Sequence, residues 1–368
     1  MKYIDEYRDP KLVRGLLRKI AARAGGLKKP VTIMEVCGSH TTAIGRFGLA
    51  GLLPEKIRLV SGPGCPVCVT AAADIDRALW LAAQPGVIFT SFGDLLRVPG
   101  KGGNSLEKLR AAGARIEVVA SALEAVAKAQ EARDSQVIFF GIGFETTSPT
   151  AAAALLKAER LRLDNFFLYS CHKLMPPVMQ LLLQSAELAI DGFLCPGHVS
   201  TIIGAAAYEP IVAAGRAAVI AGFEPADILA AVLLLLEQLA KKDQEVVCAY
   251  PRAVKPEGNR RARAVLAEVF TPAPALWRGL GEIPDSGLAL RERFAPFDAE
   301  RHFAPPRFPE ATDPACRCGE VLRGRLRPDQ CALFGRACTP TRPHGPCMVS
   351  HEGSCAAFYR YPEEGGEL

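Results

Sequence analysis

The sequence predicts an α/β protein in which two parallel-sheet domains precede a small, irregular or helical, cysteine-rich domain. Runs of β-branched and aromatic residues alternate with Ala- and Leu-rich stretches between residues 31 and 249, which is typical of βα units. The alternation then stops in a Pro-rich segment, because proline lacks the amide donor that sheets and helices need. Beyond it, six of the 12 cysteines lie between residues 316 and 355. We therefore expect the thiols of this last segment to act together.

The apolar spacing at the start of the chain predicts an amphipathic helix. Leu12, Leu16 and Ile20 recur at helical spacing within residues 11–23, inside an N-terminal region of residues 1–28. Short apolar runs bounded by turn residues then predict nine strands. Their expected ranges are 31–36, 57–60, 87–89, 116–119, 137–140, 166–169, 192–194, 218–220 and 246–249.

The domain limits follow from breaks in this pattern. Nine strands are compatible with one wide sheet, but the charged stretch at 130–136 favours two α/β domains, at residues 29–134 and 135–250. Residues 251–314 contain ten prolines and are expected to form a linker or wrapping segment. Residues 315–368 have no long apolar periodic stretch, so metal or disulfide bonds must replace a hydrophobic core there.

Composition excludes several classes of protein. Hydrophobic residues make up 49% of the 368 residues, which excludes a disordered polyelectrolyte. The 44 basic and 39 acidic residues give a net charge of +5, so we expect no nucleic-acid partner. The first residues form no apolar leader, and the longest apolar run, residues 228–236, is far shorter than the ~20 residues that span a bilayer. We expect a cytoplasmic protein without a membrane partner, whose thiols are metal ligands or redox groups.

Reactive side chains gather where the first two strands end, and in parallel sheets this is where ligands bind. Cys37 follows the first strand at a helix start, where the helix dipole favours the thiolate, and His40 lies one turn further on. Cys65 and Cys68 follow the second strand as a C-x2-C pair in a Gly-Pro turn. This spacing suits a disulfide or two ligands of one metal ion. If the two strands are neighbours, these side chains share one crevice.

Later strand ends add polar groups to the expected pocket. Glu145 lies at a helix start in GFETT, where capping is the alternative to a functional role. His198 lies in PGHVS, and Cys171 and His172 follow the strand before it. The recurrence of such groups at successive strand ends predicts a binding pocket.

The C-terminal cysteines form the most specific pattern. Cys316, Cys331, Cys338 and Cys355 are separated by gaps of 14, 6 and 16 residues. Four thiolates in a segment without a core fit a tetrahedral zinc site or a [4Fe–4S] cluster. The tight C-x2-C knuckles of zinc ribbons are absent from this segment, which favours the cluster. Two further cysteines remain as a thiol pair, Cys318 and Cys347.

Five motifs, in this order, carry a resemblance to a known family. EVCGSHT, SGPGCPVC, GFETT, PGHVS and the C-x14-C-x6-C-x16-C block resemble the HypD family of [NiFe]-hydrogenase maturation proteins. The resemblance implies two Rossmann-like domains and a small [4Fe–4S] domain around a central cleft. It also implies an assembly scaffold with redox activity rather than a conventional turnover enzyme. With a HypC-type chaperone, such a scaffold holds iron while cyanide and carbonyl ligands are added, and the cyanide arrives transiently from a HypE-type carrier.

The resemblance also implies roles for individual residues. Cys316, Cys331, Cys338 and Cys355 match the [4Fe–4S] ligands, and Cys37 matches the thiolate that holds the iron under assembly. Cys65 and Cys68 match the redox-active pair, with Cys318 and Cys347 as a thiol relay between cluster and pair. The cleft residues His40, Glu145 and His198 are expected to take part in the chemistry.

Two alternatives belong to other classes of protein. The first is a cluster-dependent thiol–disulfide oxidoreductase that resembles ferredoxin-thioredoxin reductase. The second is a zinc-stabilised binding protein without redox chemistry. Iron content separates the zinc protein from the others, and Fe–CN and Fe–CO infrared bands separate the scaffold from the oxidoreductase.

Overall fold

Parallel strands form two separate sheets in the computed structural model, which describes residues 4–184, 190–241, 245–310 and 313–362. All nine predicted strands are present. They are β1 (Val31–Glu35), β2 (Ile57–Ser61), β3 (Val87–Ser91), β4 (Ile116–Val118), β5 (Gln136–Gly141), β6 (Phe166–Ser170), β7 (Gly192–Pro196), β8 (Ala217–Ala221) and β9 (Val246–Cys248). The prediction of a mixed α/β protein with parallel sheets is therefore confirmed.

Helices connect the strands, as βα units require. Up to β9 they are α1 (Pro10–Gly25), α2 (Gly38–Arg46), α3 (Leu49–Leu52), α4 (Pro66–Val69), α5 (Ala72–Ala82), α6 (Leu106–Ala111), α7 (Ala122–Glu131), α8 (Ser148–Arg160), α9 (Met175–Leu183), α10 (Gly197–Ile203), α11 (Glu209–Ala213) and α12 (Pro225–Leu239). The predicted N-terminal helix corresponds to α1, which buries Val13, Ile20 and Ala24 against α12. No helix in the described ranges combines the length and apolar character needed to cross a membrane.

The strand order corrects the predicted division of the sheets near residue 134. The first sheet has the order β2-β1-β7-β8-β9, and the second has the order β4-β3-β5-β6. Strands β3 and β4, assigned from the sequence to the first domain, therefore share a sheet with β5 and β6, because β3 pairs with β5, while β1 pairs with β7 beyond residue 190. The charged stretch at 130–136 is only the end of α7 and the turn into β5. A continuous segment of the chain thus forms the second sheet, and this segment lies between the two parts of the chain that form the first sheet.

Buried side chains of both sheets meet in one shared core. On β1, Ile33 faces the outer cluster with α1 and α12 while Met34 faces the inner cluster, because successive strand residues point to opposite sides. Phe140 and Tyr169 of the second sheet stack in that inner cluster with ring centroids 5.3 Å apart. The inner cluster therefore joins the two sheets directly.

Residues 251–314 contain regular structure that was not predicted from their many prolines. Helix α13 (Arg260–Val269) leads into an antiparallel hairpin of β10 (Phe270–Trp277) and β11 (Gly281–Leu290), followed by α14 (Ala299–Phe303). Pro274 lies where the hairpin register shifts between Ala273 and Ala275, a position at which no ladder donor is needed. The segment is therefore a packed hairpin rather than only a linker.

The C-terminal segment has little regular structure. Its helices are α15 (Cys318–Leu322) and α16 (Ser354–Arg360). Cys318, Leu322, Cys347 and Val349 are buried in the inner cluster of the two sheets, and α16 packs against α2. The segment is thus held by docking on the sheets, in addition to any bonds among its thiols.

Candidate functional site

Cys37 lies in a buried turn between β1 and α2. Its amide donates to Glu35 Oε2 at 3.0 Å, and the hydroxyl of Thr41 donates to the other oxygen of the same carboxylate. Burial, followed by the nearby charges of Glu352 and Glu35, raises the pKa of the thiol to about 12. The stabilised thiolate expected at a helix start is therefore absent, because desolvation of the charged form outweighs the helix dipole. A metal ion must displace the proton of Cys37 in order to bind it.

The C-x2-C pair lies directly beside this turn, as the predicted neighbouring strands require. Cys65 and Cys68 form a disulfide across α4 with Cα atoms 5.2 Å apart. The amide of Gly38 donates to Gly64 O at 3.0 Å. A Cβ on Gly64 would lie 2.2 Å from Cys37 N, so only glycine lets the two turns meet backbone to backbone. The first sheet therefore places a buried thiol against a disulfide.

Two predicted histidines enclose an aromatic ring in the same region. His40 and His198 stack on Phe223 with ring centroids 4.8 and 3.8 Å away. His40 Nε2 lies 2.9 Å from Gly222 O, while its buried Nδ1 has no hydrogen-bond partner among the described residues. Burial lowers the pKa of His40 to about 4. Because a carbonyl only accepts, Nε2 carries the proton and Nδ1 keeps a free lone pair.

Glu352 and Phe223 belong to this region but were missed from the sequence. Ser39 donates to Glu352 Oε1 at 2.7 Å, and a Cβ on Gly38 would lie 2.3 Å from Glu352 Cβ. Phe223 follows β8 at the same sheet edge, so the strand-end rule, applied to every strand, would have found it. Glu352 gave no local signal, because it reaches α2 from the distant C-terminal segment.

Glu145 approaches this region from the second sheet. It accepts from the amide of Met175 at the start of α9 with an N···O distance of 2.9 Å, and its buried Oε2 has no partner among the described residues. The predicted capping alternative thus applies to α9 and not to its own helix. Burial raises the pKa of Glu145 to about 7. Charges on Cys195, Glu145 and Cys37 all raise the pKa of the buried Tyr208 phenol, which places groups from both sheets around one ring.

The six C-terminal cysteines line a single cavity, which we call the cysteine cavity. They are Cys316, Cys318, Cys331, Cys338, Cys347 and Cys355. Cys316, Cys318 and Cys347 lie close enough to influence one another's pKa, and burial and the other thiols raise the pKa of Cys355. In the described part of the chain, no group of three or more His, Cys, Asp or Glu side chains is arranged to hold a metal ion. The donor set of the cavity consists of thiols, the ligand chemistry of iron–sulfur clusters.

The cysteine cavity adjoins the disulfide. Residues Pro346–Met348, which include Cys347, pack against α4. Arg278, in the turn between β10 and β11, donates from its amide to Val69 O and from Nε to Thr70 O at the end of α4. Its charge also acts on Cys316, Cys318 and Cys347. The structure therefore arranges the cysteine cavity, the disulfide and Cys37 in one contiguous series.

Comparison with known proteins identifies the family. The family model HypD, described as hydrogenase formation hypA family, matches residues 11–362. The hydrogenase maturation factor HypD of Azotobacter vinelandii is 47% identical, covering 98% of this chain and 97% of its own. The protein of the same name from Escherichia coli K12 is 44% identical over the whole of both chains. These matches cover the sheets, the strand-end motifs and the cysteine cavity, and the chain therefore belongs to the HypD family of hydrogenase maturation factors.

Proposed function

We propose that this protein holds iron at Cys37 while cyanide and carbonyl ligands are added, in a complex with a HypC-type chaperone and with cyanide from a HypE-type carrier. The observation that supports this most directly is the contact between the Cys37 turn and the Cys65–Cys68 turn through Gly38 and Gly64. It puts a soft ligand beside a two-electron redox pair. Low-spin ferrous iron with strong-field ligands favours such a thiolate in a dry crevice.

The residues around Cys37 have separate tasks in this proposal. Iron takes the place of the Cys37 proton, and we assign the Glu35 carboxylate, which accepts from the Cys37 amide and has its pKa raised by burial to about 7, as the group that receives that proton. His40 offers the lone pair of Nδ1 to the same crevice. Reduction of the disulfide by two electrons and two protons gives the thiols of Cys65 and Cys68.

The cysteine cavity is the proposed site of a resident cluster. Cys316, Cys331, Cys338 and Cys355 would hold a [4Fe–4S] cluster, which would supply electrons one at a time. Cys318 and Cys347 are the remaining thiols of the cavity, and the segment of Cys347 packs against α4, so we assign the two as the thiol relay. Ten cysteines of the chain are thiols in the structure, and a reducing compartment such as the cytoplasm would keep them so.

Infrared spectroscopy of the complex with the HypC-type chaperone tests the scaffold. Wild-type complex purified without oxygen should show Fe–CN and Fe–CO stretching bands. Cys37→Ser should lose them, because a serine hydroxyl is a poor ligand for soft iron. Cys171→Ser is the matched control, since Cys171 is also a buried thiol at a strand end, and it should keep the bands. Bands that persist in Cys37→Ser would contradict the iron site.

The disulfide also favours a second candidate, the cluster-dependent thiol–disulfide oxidoreductase. Its supporting observation is the packing of the Cys347 segment against the disulfide helix α4. An oxidoreductase would reduce a partner disulfide and show no Fe–CN or Fe–CO bands in any complex. Metal analysis addresses the zinc alternative, because a zinc protein would contain zinc and no acid-labile sulfide.

A further inference from the structure

Arg278 is a buried arginine at the tip of the β10–β11 hairpin. Only 5% of its surface is exposed. Its amide donates to Val69 O at 2.8 Å and its Nε to Thr70 O at 2.9 Å. The next residue, Gly279, has a φ of +73°, and a Cβ there would lie 2.4 Å from Gly319 Cα. The hairpin tip is therefore fixed between the disulfide helix α4 and the first turn of α15.

The guanidinium of Arg278 has no counter-ion among the residues that the structure describes. Its Nη2 is buried without a hydrogen-bond partner, and no carboxylate of the described residues forms an ion pair with it. Arginine remains charged in proteins. Burying a charge without a partner costs several kcal/mol, so a site of this kind is expected to face negative charge in the working protein.

The cysteine cavity lies beside the hairpin tip, because Cys318, which lines it, immediately precedes Gly319. Gly319, which the hairpin tip contacts through Gly279, directly follows Cys318, and Arg278 is close enough to Cys316, Cys318 and Cys347 for its charge to act on all three. Cys316 is one of the four proposed cluster ligands, and the other two belong to the proposed relay. Thiolates bound to a cluster would carry the negative charge that this guanidinium lacks in the protein alone.

We propose that Arg278 is a positioning residue that offsets the charge of the cluster thiolates and raises the one-electron reduction potential of the cluster. This inference rests on the proposed [4Fe–4S] site. Adding an electron makes the cluster more negative, so a fixed cation nearby favours the reduced form. Because the amide and Nε of Arg278 bind two carbonyls at the end of α4, the residue also fixes the distance between this charge and the disulfide.

The test compares Arg278→Gln, which keeps a donor for Thr70 O without the charge, with Arg278→Lys, which keeps the charge. Each protein is reconstituted anaerobically and assayed for iron and acid-labile sulfide, and its cluster is then titrated with dithionite as the reductant. Arg278→Gln should lower the one-electron reduction equilibrium constant at least tenfold, a shift of about 59 mV to more negative potential. Arg278→Lys should stay within threefold of wild type. Arg336→Gln is the control, because Arg336 lies between Cys331 and Cys338 in the chain but is exposed and does not line the cysteine cavity, so its charge is screened by solvent.

Each outcome decides a different point. A wild-type protein that takes up no iron and sulfide contradicts the cluster site itself. A loaded Arg278→Gln protein with the wild-type potential overturns the role of Arg278 and leaves the cluster intact. Equal shifts, or equal loss of the cluster, in the Gln and Lys variants also overturn it, because charge is then not the cause. A cluster held by the Lys variant and lost from a folded Gln variant, checked by circular dichroism, supports it.

Discussion

Each of the two sheets ends in a buried cysteine and histidine, yet the two pairs have different surroundings. Cys37 and His40 of the first sheet adjoin a disulfide, and His40 Nδ1 has no partner among the described residues. Cys171 and His172 follow β6 in the second sheet and border a cavity of about 350 Å³ that is also lined by Lys173. Burial raises the pKa of both thiols and lowers that of both imidazoles.

The two pairs differ in whether Nδ1 of the histidine has a hydrogen-bond partner. His172 Nδ1 is 3.1 Å from Ser170 Oγ, which itself donates to Leu288 O. The hydroxyl must therefore accept from His172, and that nitrogen carries a proton. His40 instead keeps an unprotonated Nδ1. Residue type and burial thus do not distinguish the two pairs, whereas hydrogen bonds and the adjacent disulfide do.

The largest expected effect comes from removing the disulfide that only the first pair adjoins. The double variant Cys65→Ser, Cys68→Ser should lower hydrogenase maturation at least about 100-fold in complemented cells, since it removes a two-electron donor. Alkylation counts on the isolated protein should show two fewer thiols gained on reduction than wild type. Cys248→Ser, on the edge strand β9, should mature hydrogenase normally. Normal maturation by the double variant would contradict a redox role.

Two glycines test how tightly each pair is packed. Gly64→Ala should destabilise the protein by about 3 kcal/mol or more, because its Cβ would meet the Cys37 backbone, which cannot give way. Gly141→Ala should cost about 1 to 2 kcal/mol, since its Cβ would meet the His172 ring at 2.5 Å and a side chain can shift. Urea unfolding of both variants measures the difference. Equal losses in the free energy of unfolding would mean that the turn at Gly64 is no more rigid than the turn at Gly141.

The buried carboxyls Glu35, in the first sheet, and Glu145, which follows β5 of the second, should make the stability of the protein depend on pH. Burial raises the pKa of Glu145 from 4.5 to about 7, so its neutral form stabilises the fold below pH 4.5 and this contribution is lost as the pH rises through 7. Glu145→Gln should therefore be more stable than wild type at pH 8, by up to about 3 kcal/mol, with no gain at pH 4.

Glu35→Gln is the matched variant for this measurement. Burial also raises the pKa of Glu35 to about 7, but its two oxygens accept from Cys37 N and the Thr41 hydroxyl. An amide has only one oxygen, so Glu35→Gln should gain less at pH 8 than Glu145→Gln. Unfolding by urea at both pH values measures each gain, and a larger gain for Glu35→Gln would be the contrary result.

The smallest expected effect concerns the histidines themselves. His40→Ala should weaken iron binding by the chaperone complex roughly tenfold, because it removes the free Nδ1 lone pair from the crevice. His172→Ala should bind iron as wild type does. Iron retained after gel filtration with a competing chelator measures both, and equal retention by the two variants would remove His40 from the site.

Local patterns predicted the strands but not their partners. The nine apolar runs became strands because a parallel strand buries most of its side chains, which a short window of sequence reveals. Among these nine, only edge strands such as β2 and β4 also expose residues, for example Arg58 and Val118. The pairing of Ile33 with Gly192 joins positions far apart in the chain, and no local pattern encodes it. The hairpin from Phe270 to Leu290 was hidden for another reason, since its prolines lie where the hairpin needs no amide donor.

The residues of the candidate site also divide into those that local patterns predicted and those that they missed. Cys37, His40, Cys65 and Cys68 were found because each follows a strand, and the neighbouring β1 and β2 bring them together. Glu352 and Arg278 were missed because they reach the site from distant segments with no motif of their own. Sequence reasoning thus finds residues that follow neighbouring strands of one sheet, and it misses residues that only tertiary packing brings to the site.

The strand order also determines when each sheet can be completed during synthesis of the chain. The strands of the second sheet come from residues 87–170 without interruption, although its core is completed later by the hairpin residues Phe270 and Leu288. The first sheet must wait for β7, more than a hundred residues after β2, and Glu352 arrives later still. The crevice at Cys37 is therefore completed only when almost the whole chain has been made, so the proposed function would require a nearly complete chain before iron is captured.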